Sequence, residues 1–291
     1  MNRSRSTKPV LPDRDGLGPT RVRLRGGSVL VELADRFGEA AAEKVFAGEV
    51  VAADGSVVTA ATVLAPNSDV YLYRDLPVEV AVPFDIPILF RDDDIVVVDK
   101  PHFLATMPRG RHIVQTAVVR LRRELELPEL SPAHRLDRLT AGVLLFTTRR
   151  ELRGRYQTMF ARREVDKTYL AAVQHVPEVI PEVVRSRIVK HRDVLQALEE
   201  PGEPNAETGV CHLGGNQFRL TPHTGRTHQL RVHMNSLGAP IVNDPWYPVV
   251  KDVAADDFSA PLQLLAHTLE FDDPVSGQRR QFVSARALTP T

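Results

Sequence analysis

The chain has 291 residues, of which 43% are hydrophobic and 25% charged, and its 37 basic and 37 acidic side chains give a formal net charge of zero. This composition predicts a globular protein of one large domain or two unequal ones. It contains no run of eighteen apolar residues and a single cysteine, Cys211, which argues against a membrane span, an intramolecular disulfide and a cysteine-based zinc site.

The first residues form a basic, proline-containing arm without apolar periodicity, which predicts disorder over residues 1–25. They lack the apolar centre of a secretory signal, so a cytoplasmic location is expected. A small unit is predicted over residues 26–77, with helices at 29–37 and 39–47, a hairpin that turns at Asp54-Gly55, and a strand at 68–74.

A proline-rich linker is predicted at residues 78–87, and the rest of the chain, 88–291, is predicted to be the main domain. Strands and helices do not alternate regularly there, which favours an α+β fold with a mainly antiparallel mixed sheet. Its predicted strands are 95–99, 142–148, 167–173, 217–221, 262–271 and 281–284, and its predicted helices are 113–126, 151–162 and one that begins after Gly225 and ends at Ser236.

Positive charge is concentrated in the middle of the chain. Residues 101–170 carry 14 basic and 7 acidic side chains, whereas residues 171–291 carry 11 and 14. Nearly all of the basic ones are arginine, whose planar guanidinium suits phosphate oxygens. The surplus indicates either a surface for a polyanion or a solvated helix face.

The stretch HRLDRLTAGVLLF, residues 134–146, places Asp137 between Arg135 and Arg138, directly before an apolar strand. Burial would favour the neutral acid, whereas adjacent guanidinium groups favour the carboxylate. The pattern therefore fits an acid that must stay charged in a dry place. A structural ion pair would have the same sequence.

Two further stretches are rich in polar groups that could bind a ligand. In KTYLAAV, Lys167 and Tyr169 alternate on one face of a predicted strand, where they could stack on a planar ring and grip its phosphate or carbonyl, or form a half-exposed surface. In TPHTGRTHQLRVHM, a helix that starts after Thr224 would place Thr227, His228 and Arg231 on one face.

The histidines of the last stretch do not predict a metal site. They recur every five residues, about 140° apart on a helix, and no HExxH or comparable ligand pattern accompanies them. The chain also lacks the GxxxxGK[ST], GxGxxG and GxSxG motifs of nucleotide binding and serine hydrolysis.

These three stretches, preceded by IVVVDKP and followed by PIVNDPWY, resemble the ordered motifs of the RluA-type pseudouridine synthases. The resemblance covers residues 88–284 and implies an RNA uridine isomerase that needs no cofactor and no metal. It implies that Asp137 is the essential acid, as nucleophile at the ribose or as base at its 2′ position. It also implies that Tyr169 stacks on the target ring and that an arginine pairs with the acid, Arg231 being the first candidate and Arg226 the second.

The same resemblance implies that Arg135 enters the RNA stack in place of the uridine, and that Arg138, Lys167, Arg226 and His228 contact RNA. Residues 26–77 resemble a small ribosomal-protein-type RNA-binding module, although acidic residues offset its basic ones. The expected partner is ribosomal or transfer RNA, bound by a monomer with no membrane contact. The alternatives are a catalytically silent RNA-binding or ribosome-assembly factor and a metal-dependent hydrolase built on the histidines.

Overall fold

A computed structural model of the protein describes residues 11–289. The chain divides into two compact units, the first ending at Val78 and the second beginning at Glu79. Within the described range, no helix combines the length and apolar character needed to cross a membrane.

The first unit packs two short helices against a small antiparallel sheet. Its core contains Val29, Leu33, Val45 and Val70, each at most 2% exposed. The predicted hairpin at Asp54-Gly55 is confirmed, since Val58 donates its N–H to the carbonyl of Val50 across the turn. The elements are β1 (Thr20–Arg23), β2 (Gly27–Ser28), α1 (Val29–Phe37), α2 (Glu39–Phe46), β3 (Val51–Ala52), β4 (Val63–Leu64) and β5 (Asp69–Leu72).

The prediction of a disordered arm over residues 1–25 is wrong for β1, which pairs antiparallel with β5. Val22 points into the core at 5% exposure, while Arg23 on the other face forms two hydrogen bonds with Asp69 at 3.0 and 3.1 Å. A single valine between arginines has too little apolar content to predict a strand, but it completes the sheet edge. Residues 1–10 of the predicted arm lie outside the described residues.

The second unit is built on one eleven-stranded sheet, in the order β12-β11-β13-β14-β10-β15-β9-β7-β6, with β16 paired to β15 and β8 to β9. Its strands are β6 (Ile88–Arg91), β7 (Ile95–Lys100), β8 (Ser131–Pro132), β9 (Ala141–Thr147), β10 (Val165–Ala172), β11 (Val183–Val189), β12 (Leu198–Glu200), β13 (Ala206–Gly214), β14 (Gln217–Pro222), β15 (Leu264–Asp272) and β16 (Arg279–Val283). Its helices are α3 (Ala117–Glu124), α4 (Arg153–Ala161) and α5 (Gln229–Ser236).

The strand pairing confirms the predicted mainly antiparallel mixed sheet. Strands β9 and β15 pair in parallel, and the other strand pairs of this sheet are antiparallel. The parallel pair brings Gly142 against Ala266, and a Cβ at Gly142 would lie 2.1 Å from the carbonyl oxygen of Ala266. Because Gly142 also has a φ of 115°, only glycine lets β9 approach β15 this closely.

The segment predicted as a linker, residues 78–87, is fixed to the second unit from Glu79 onward. The Glu79 carboxylate accepts hydrogen bonds from the backbone N–H groups of Ile113, Val114 and Gln115 at 2.7 to 3.0 Å. Val82 is also buried, at 9% exposure. The segment therefore supports the approach to α3 as well as connecting the two units.

Candidate active site

The three polar stretches described above meet in one cavity of about 440 Å³ in the second unit. Its walls come from the loop before β9, from β10, and from the segment between β14 and α5. The cavity is lined by seven of the eight predicted site residues: Arg135, Asp137, Lys167, Tyr169, Arg226, His228 and Arg231.

Asp137 is held in place by its own loop. The preceding residue, Leu136, exchanges two hydrogen bonds with the Thr106 hydroxyl, at 2.8 and 3.1 Å. Thr140 closes a turn by donating its N–H to the Asp137 carbonyl at 3.1 Å. Strand β9 then begins and is buried along its whole length. The Asp137 side chain, 24% exposed, is thus fixed at the edge of a dry core.

Lys100 stabilises the loop that carries Asp137, a role that the sequence did not predict. Its ammonium group is fully buried and donates to the carbonyls of Pro101, Leu104 and Arg138 at 2.9, 2.8 and 3.4 Å. Burial lowers the pKa of Lys100 to about 7, an effect that the charge of Asp137 partly opposes. The amine therefore links the residue after Asp137 to the chain that follows β7.

Arg231 faces Asp137 but is held mainly by a second acid. Its Nη1 lies 3.7 Å from Asp137 Oδ2, whereas Nε and Nη2 donate to both oxygens of Asp244 at 2.7 and 2.6 Å. Arg231 and Asp244 are each 1% exposed. Burial disfavours the charged guanidinium, but the hydrogen bonds and charge of Asp244, with the charge of Asp137, raise the pKa of Arg231 above its ordinary value.

Asp244 is the main functional residue that the sequence reasoning missed, although it stands in the quoted PIVNDPWY. Besides Arg231 it accepts hydrogen bonds from the backbone N–H groups of Trp246 and Tyr247, at 2.9 and 3.2 Å. The rings of these two residues lie 4.8 and 5.2 Å from the guanidinium carbon of Arg231. Within residues 11–289, the buried Nη1 of Arg231 has no hydrogen-bond partner, and it is the nitrogen that faces Asp137.

His228 lies beside the same pair and is neutral at pH 7. Its Nε2 lies 4.0 Å from Asp137 Oδ2, and its Nδ1 lies 3.0 Å from the Tyr247 hydroxyl. Burial lowers the pKa of His228 to about 4, although the charge of Asp137 opposes this shift. The residue has a φ of 55°, so α5 begins one residue later, at Gln229, and not directly after Gly225 as the sequence predicted.

Strand β10 supplies the opposite wall. Tyr169 pairs with Leu220 of β14 and Ala266 of β15, and burial together with the charge of Asp137 raises its pKa, so the phenol stays protonated. Lys167 lines the cavity as well, as the alternation along the strand predicts. Burial and the neighbouring Arg163 lower the pKa of Lys167.

His134, the first residue of the stretch that contains Asp137, has a structural role beside the cavity. Its ring stacks on Phe160, with centroids 4.4 Å apart, and its Nε2 accepts the N–H of Leu145 at 3.2 Å. Burial, with a smaller effect of Lys167, lowers the pKa of His134 to about 3. A neutral imidazole is required for that hydrogen bond, so His134 connects the Asp137 loop to β9.

The predicted arginines occupy different positions. Arg135 is exposed at the mouth of the cavity, and Arg226 donates from Nε to the Asn205 carbonyl at 3.0 Å. Arg138 does not line the cavity. It donates to the Phe103 carbonyl at 3.3 Å, and its guanidinium carbon lies 6.0 Å from the Phe103 ring. The structure therefore does not bring Arg138 together with the other predicted residues.

The histidines do not gather around a common point. His233 lies at the far side of α5, where its two ring nitrogens bond to Ser186 and Thr208 at 3.1 and 2.9 Å. In the part of the chain that the structure describes, no three His, Cys, Asp or Glu side chains are grouped as metal ligands would be.

Comparison with known proteins gives a consistent picture. The sequence model of the RNA pseudouridylate synthase family matches residues 94–236. The human pseudouridylate synthase RPUSD2 is 37% identical over 184 residues, which cover 60% of this chain and 33% of the human protein. The dual-specificity RNA pseudouridine synthase RluA of Vibrio vulnificus is 34% identical over 200 residues, which cover 65% of this chain and 78% of the bacterial protein.

A solved structure, human RNA pseudouridylate synthase domain containing 1, aligns with a TM-score of 0.54 and 25% identity, covering 74% of this chain and 86% of that one. The chain spans about a third of the length of the human sequence relative, but 78% of the Vibrio protein. The matched family segment contains Asp137, Tyr169 and Arg231, and Asp244 follows it.

Proposed function

Because this chain belongs to the RluA-type family of pseudouridine synthases, we propose that it isomerises selected uridines in structured RNA to pseudouridine. One observation carries the proposal. Asp137 Oδ2 lies 3.7 Å from Nη1 of the buried Arg231, in a cavity of about 440 Å³ that Tyr169 also lines. An acid, a fixed cation and an aromatic ring around a small cavity match the needs of this reaction.

The reaction breaks the bond between ribose C1′ and uracil N1, turns the uracil and forms a bond between C1′ and C5. Asp137 acts in one of two ways. As a nucleophile, its carboxylate bonds to C1′ while uracil leaves with the electron pair, and the returning C5 displaces it. As a base, it takes the proton from C2′ while uracil leaves C1′ with the electron pair, which gives a glycal; uracil C5 then bonds to C1′ as Asp137 returns the proton to C2′. In both routes the proton released from C5 ends on N1, so atoms and electrons balance without an oxidant, a reductant or a phosphoryl donor.

The surroundings of Asp137 suit either route. Arg231 is charged and fixed by Asp244, so it stabilises the carboxylate without needing to move. The neutral His228 adds no second positive charge beside the acid. The detached uracil must be held away from water, and Tyr169, Leu230 and Leu264 provide aromatic and apolar walls for it.

Entry of the uridine requires that it leave the RNA stack, which costs a few kcal/mol. Arg135 is exposed at the mouth of the cavity, where its planar guanidinium can replace the extruded base in the stack. We assign Arg135 this role, and we assign contacts with the RNA backbone to Lys167 and Arg226 at the same rim.

The names of two relatives and the positive charge of residues 101–170 support a proposal for the substrate class. We propose ribosomal or transfer RNA, since the Vibrio relative carries the name of a dual-specificity RNA pseudouridine synthase, and a yeast relative, 34% identical over 171 residues, that of a mitochondrial tRNA pseudouridine(32) synthase. We further propose that the protein acts as a monomer in the cytoplasm. Light scattering of the purified chain, with and without RNA, tests whether it is a monomer.

The test of the proposed function is the substitution Asp137→Asn. We expect turnover to fall by a factor on the order of 10⁴ or more, because the amide is neither a nucleophile nor a base. Pseudouridine is mapped across total cellular RNA from cells whose own gene is deleted and that express either the wild-type protein or Asp137→Asn. Asp252→Asn, at an exposed acid outside the cavity, is the matched control.

Circular dichroism and thermal unfolding establish that Asp137→Asn is folded. Persistent pseudouridine formation by the folded variant would contradict the assignment of Asp137. If the wild-type protein binds RNA but no pseudouridine in the cell depends on its gene, the result would instead support a catalytically silent RNA-binding factor.

A further inference from the structure

A second hollow, of about 400 Å³, adjoins the active-site cavity. The two share Lys167, Pro222 and Thr224, so Lys167 reaches both. The hollow lies between the start of β10 and the end of β14. It is lined by Arg163, Val165, Asp166, Lys167, Glu207, Thr221, Pro222, His223 and Thr224.

The acids of this hollow form their ion pairs with cations outside it. Asp166 pairs with Arg279 at 2.8 Å, and Glu207 pairs with Arg185, also at 2.8 Å. Neither carboxylate therefore forms an ion pair with the cations that line the hollow.

Those cations are Lys167 and Arg163. Across residues 11–289, the Lys167 ammonium and the Arg163 guanidinium form no ion pair or hydrogen bond with another side chain, and their charges repel each other. Glu207 feels the charge of Arg163, but its hydrogen bond goes to Arg185. Among the described residues, the hollow thus holds two cations that have no ion-pair partner.

Holding a half-buried lysine beside an arginine without a carboxylate between them costs free energy of folding. Burial and Arg163 both lower the pKa of Lys167, which is the electrostatic sign of that cost. An anion placed between the two groups would remove the repulsion and gain charge-assisted hydrogen bonds from both.

We propose that Lys167 and Arg163 together bind one backbone phosphate of the RNA, next to the target nucleotide. This inference rests on the proposed function, because it takes the ligand of the adjoining cavity to be a nucleotide within RNA. A nucleotide that rotates out of its stack swings about its own backbone, so an adjacent phosphate must pass the rim of the cavity. Lys167 lies at that rim, and the guanidinium of Arg163 can grip two oxygens of the same group.

The test is the salt dependence of RNA binding. The probe is a short RNA hairpin with uridines in its loop, since phosphate contacts do not depend on sequence. Dissociation constants are measured between 50 and 300 mM KCl for the full-length wild type, for Lys167→Met, for Arg163→Gln and for the double variant. Arg192→Gln removes one charge at a position 96% exposed and outside both hollows, and it is the control.

We expect the double variant to bind about tenfold more weakly at low salt, and its slope of log K against log[KCl] to be shallower by about 0.7 to 1, as for one lost phosphate contact. Each single variant should lose part of this difference, and Arg192→Gln should match the wild type. A slope for the double variant equal to that of the wild type would overturn the proposal.

Two further measurements separate the possible causes of a negative result. Calorimetric titration with inorganic phosphate at constant ionic strength tests whether the hollow binds a free anion. If the wild type binds phosphate and the double variant does not, while the salt slope for RNA is the same in both, the site serves that anion and the proposal is overturned. Pseudouridine formation by the wild type is recorded independently. Failure of the proposed function would therefore be seen in turnover, and failure of the phosphate site in the slope.

Discussion

The two sides of the active-site cavity hold their cations in opposite ways. On one side, Arg231 is 1% exposed, and Asp244 accepts two hydrogen bonds from it while the rings of Trp246 and Tyr247 flank it. On the other side, Lys167 is half-buried and Arg135 exposed, and neither forms an ion pair with any carboxylate in the described range.

Arg231 is therefore positioned before the substrate binds, whereas Lys167 and Arg135 have charges that remain available to pair with the substrate. A buried pair such as Arg231 and Asp244 gives little net stability, because desolvation offsets the attraction, but it fixes one nitrogen toward Asp137. The cations of the open side are less buried and have no paired carboxylate, so they stay available for phosphate and stacked bases. Substitutions that disturb the closed-side cation should therefore change folding and turnover together, whereas substitutions of the open-side cations should change mainly RNA binding.

Among the substitutions that test how the two sides hold their groups, the largest effect is expected for Asp244→Ala. Removing this carboxylate leaves Arg231 buried without its main partner, and we expect the free energy of unfolding to fall by about 3–5 kcal/mol. Turnover should also fall, because the guanidinium is no longer held toward Asp137. Urea unfolding and single-turnover kinetics measure the two effects, with Asp244→Asn as the milder variant if the alanine form does not fold.

A matched control exists in the first unit. Asp69 also accepts two hydrogen bonds from one arginine, Arg23, at 3.0 and 3.1 Å, but the side chains are 17% and 54% exposed. Asp69→Ala should cost no more than about 1 kcal/mol. Equal losses at the two sites would contradict the distinction between a buried positioning pair and a surface pair.

Much of this site could be predicted from the sequence. The run of apolar residues after Asp137 forms the buried β9, and the alternation in β10 places Lys167 and Tyr169 in the same cavity. Arg231 was chosen by resemblance, and it does face Asp137. These residues lie in or beside regular elements, where local patterns determine the direction of the side chain.

What the sequence did not predict depends on contacts between distant segments. Asp244 acts through Arg231, thirteen residues earlier, and through backbone N–H groups that follow it in a turn. Strands β11 and β13 were missed because buried Ser186 and Thr208 interrupt their apolar alternation, each satisfied by a nitrogen of His233. A polar residue that is buried only because of its partner cannot be recognised from a local pattern.

The next largest effect is expected at Tyr169, and it concerns turnover. If the ring stacks on uracil, Tyr169→Phe should keep most of the activity, whereas Tyr169→Leu should lose the stacking energy of about 1–3 kcal/mol, or roughly 5- to 150-fold in turnover. Leucine keeps the apolar bulk and removes the aromatic face. A phenylalanine variant as impaired as the leucine variant would indicate that the hydroxyl, and not the ring, is needed.

A smaller effect is expected in the pH dependence of stability, on the closed side. The ordinary pKa of histidine, 6.5, is lowered to about 4 in folded His228. Between these values the unfolded chain binds a proton that the folded one does not, so this contribution to stability is complete above pH 6.5 and is lost as the pH falls toward 4. His228→Gln should therefore reduce the loss of unfolding free energy between pH 7 and pH 5 by about 1–2 kcal/mol.

Urea unfolding at the two pH values measures this difference, with His175→Gln, at an exposed position, as the control. His102 and His134 also have lowered pKa values, so the wild-type protein should still lose stability in acid when His228 is absent. An unchanged pH dependence in His228→Gln would mean that His228 is more accessible to water than its 8% exposure indicates.

The smallest effect is expected on the open side, for Arg135→Ala. Arg135 is exposed and its role begins only when RNA is bound, so the free energy of unfolding should not change. Loss of an exposed guanidinium that stacks on bases corresponds to about 0.5–1 kcal/mol, or roughly a 2- to 5-fold increase in KM with kcat nearly unchanged. Arg135→Lys keeps the charge without the planar group, and it should resemble the alanine variant if stacking is the main contribution. If lysine restores the wild-type KM, Arg135 acts as a charge near phosphate, and both cations of the open side then serve the RNA backbone.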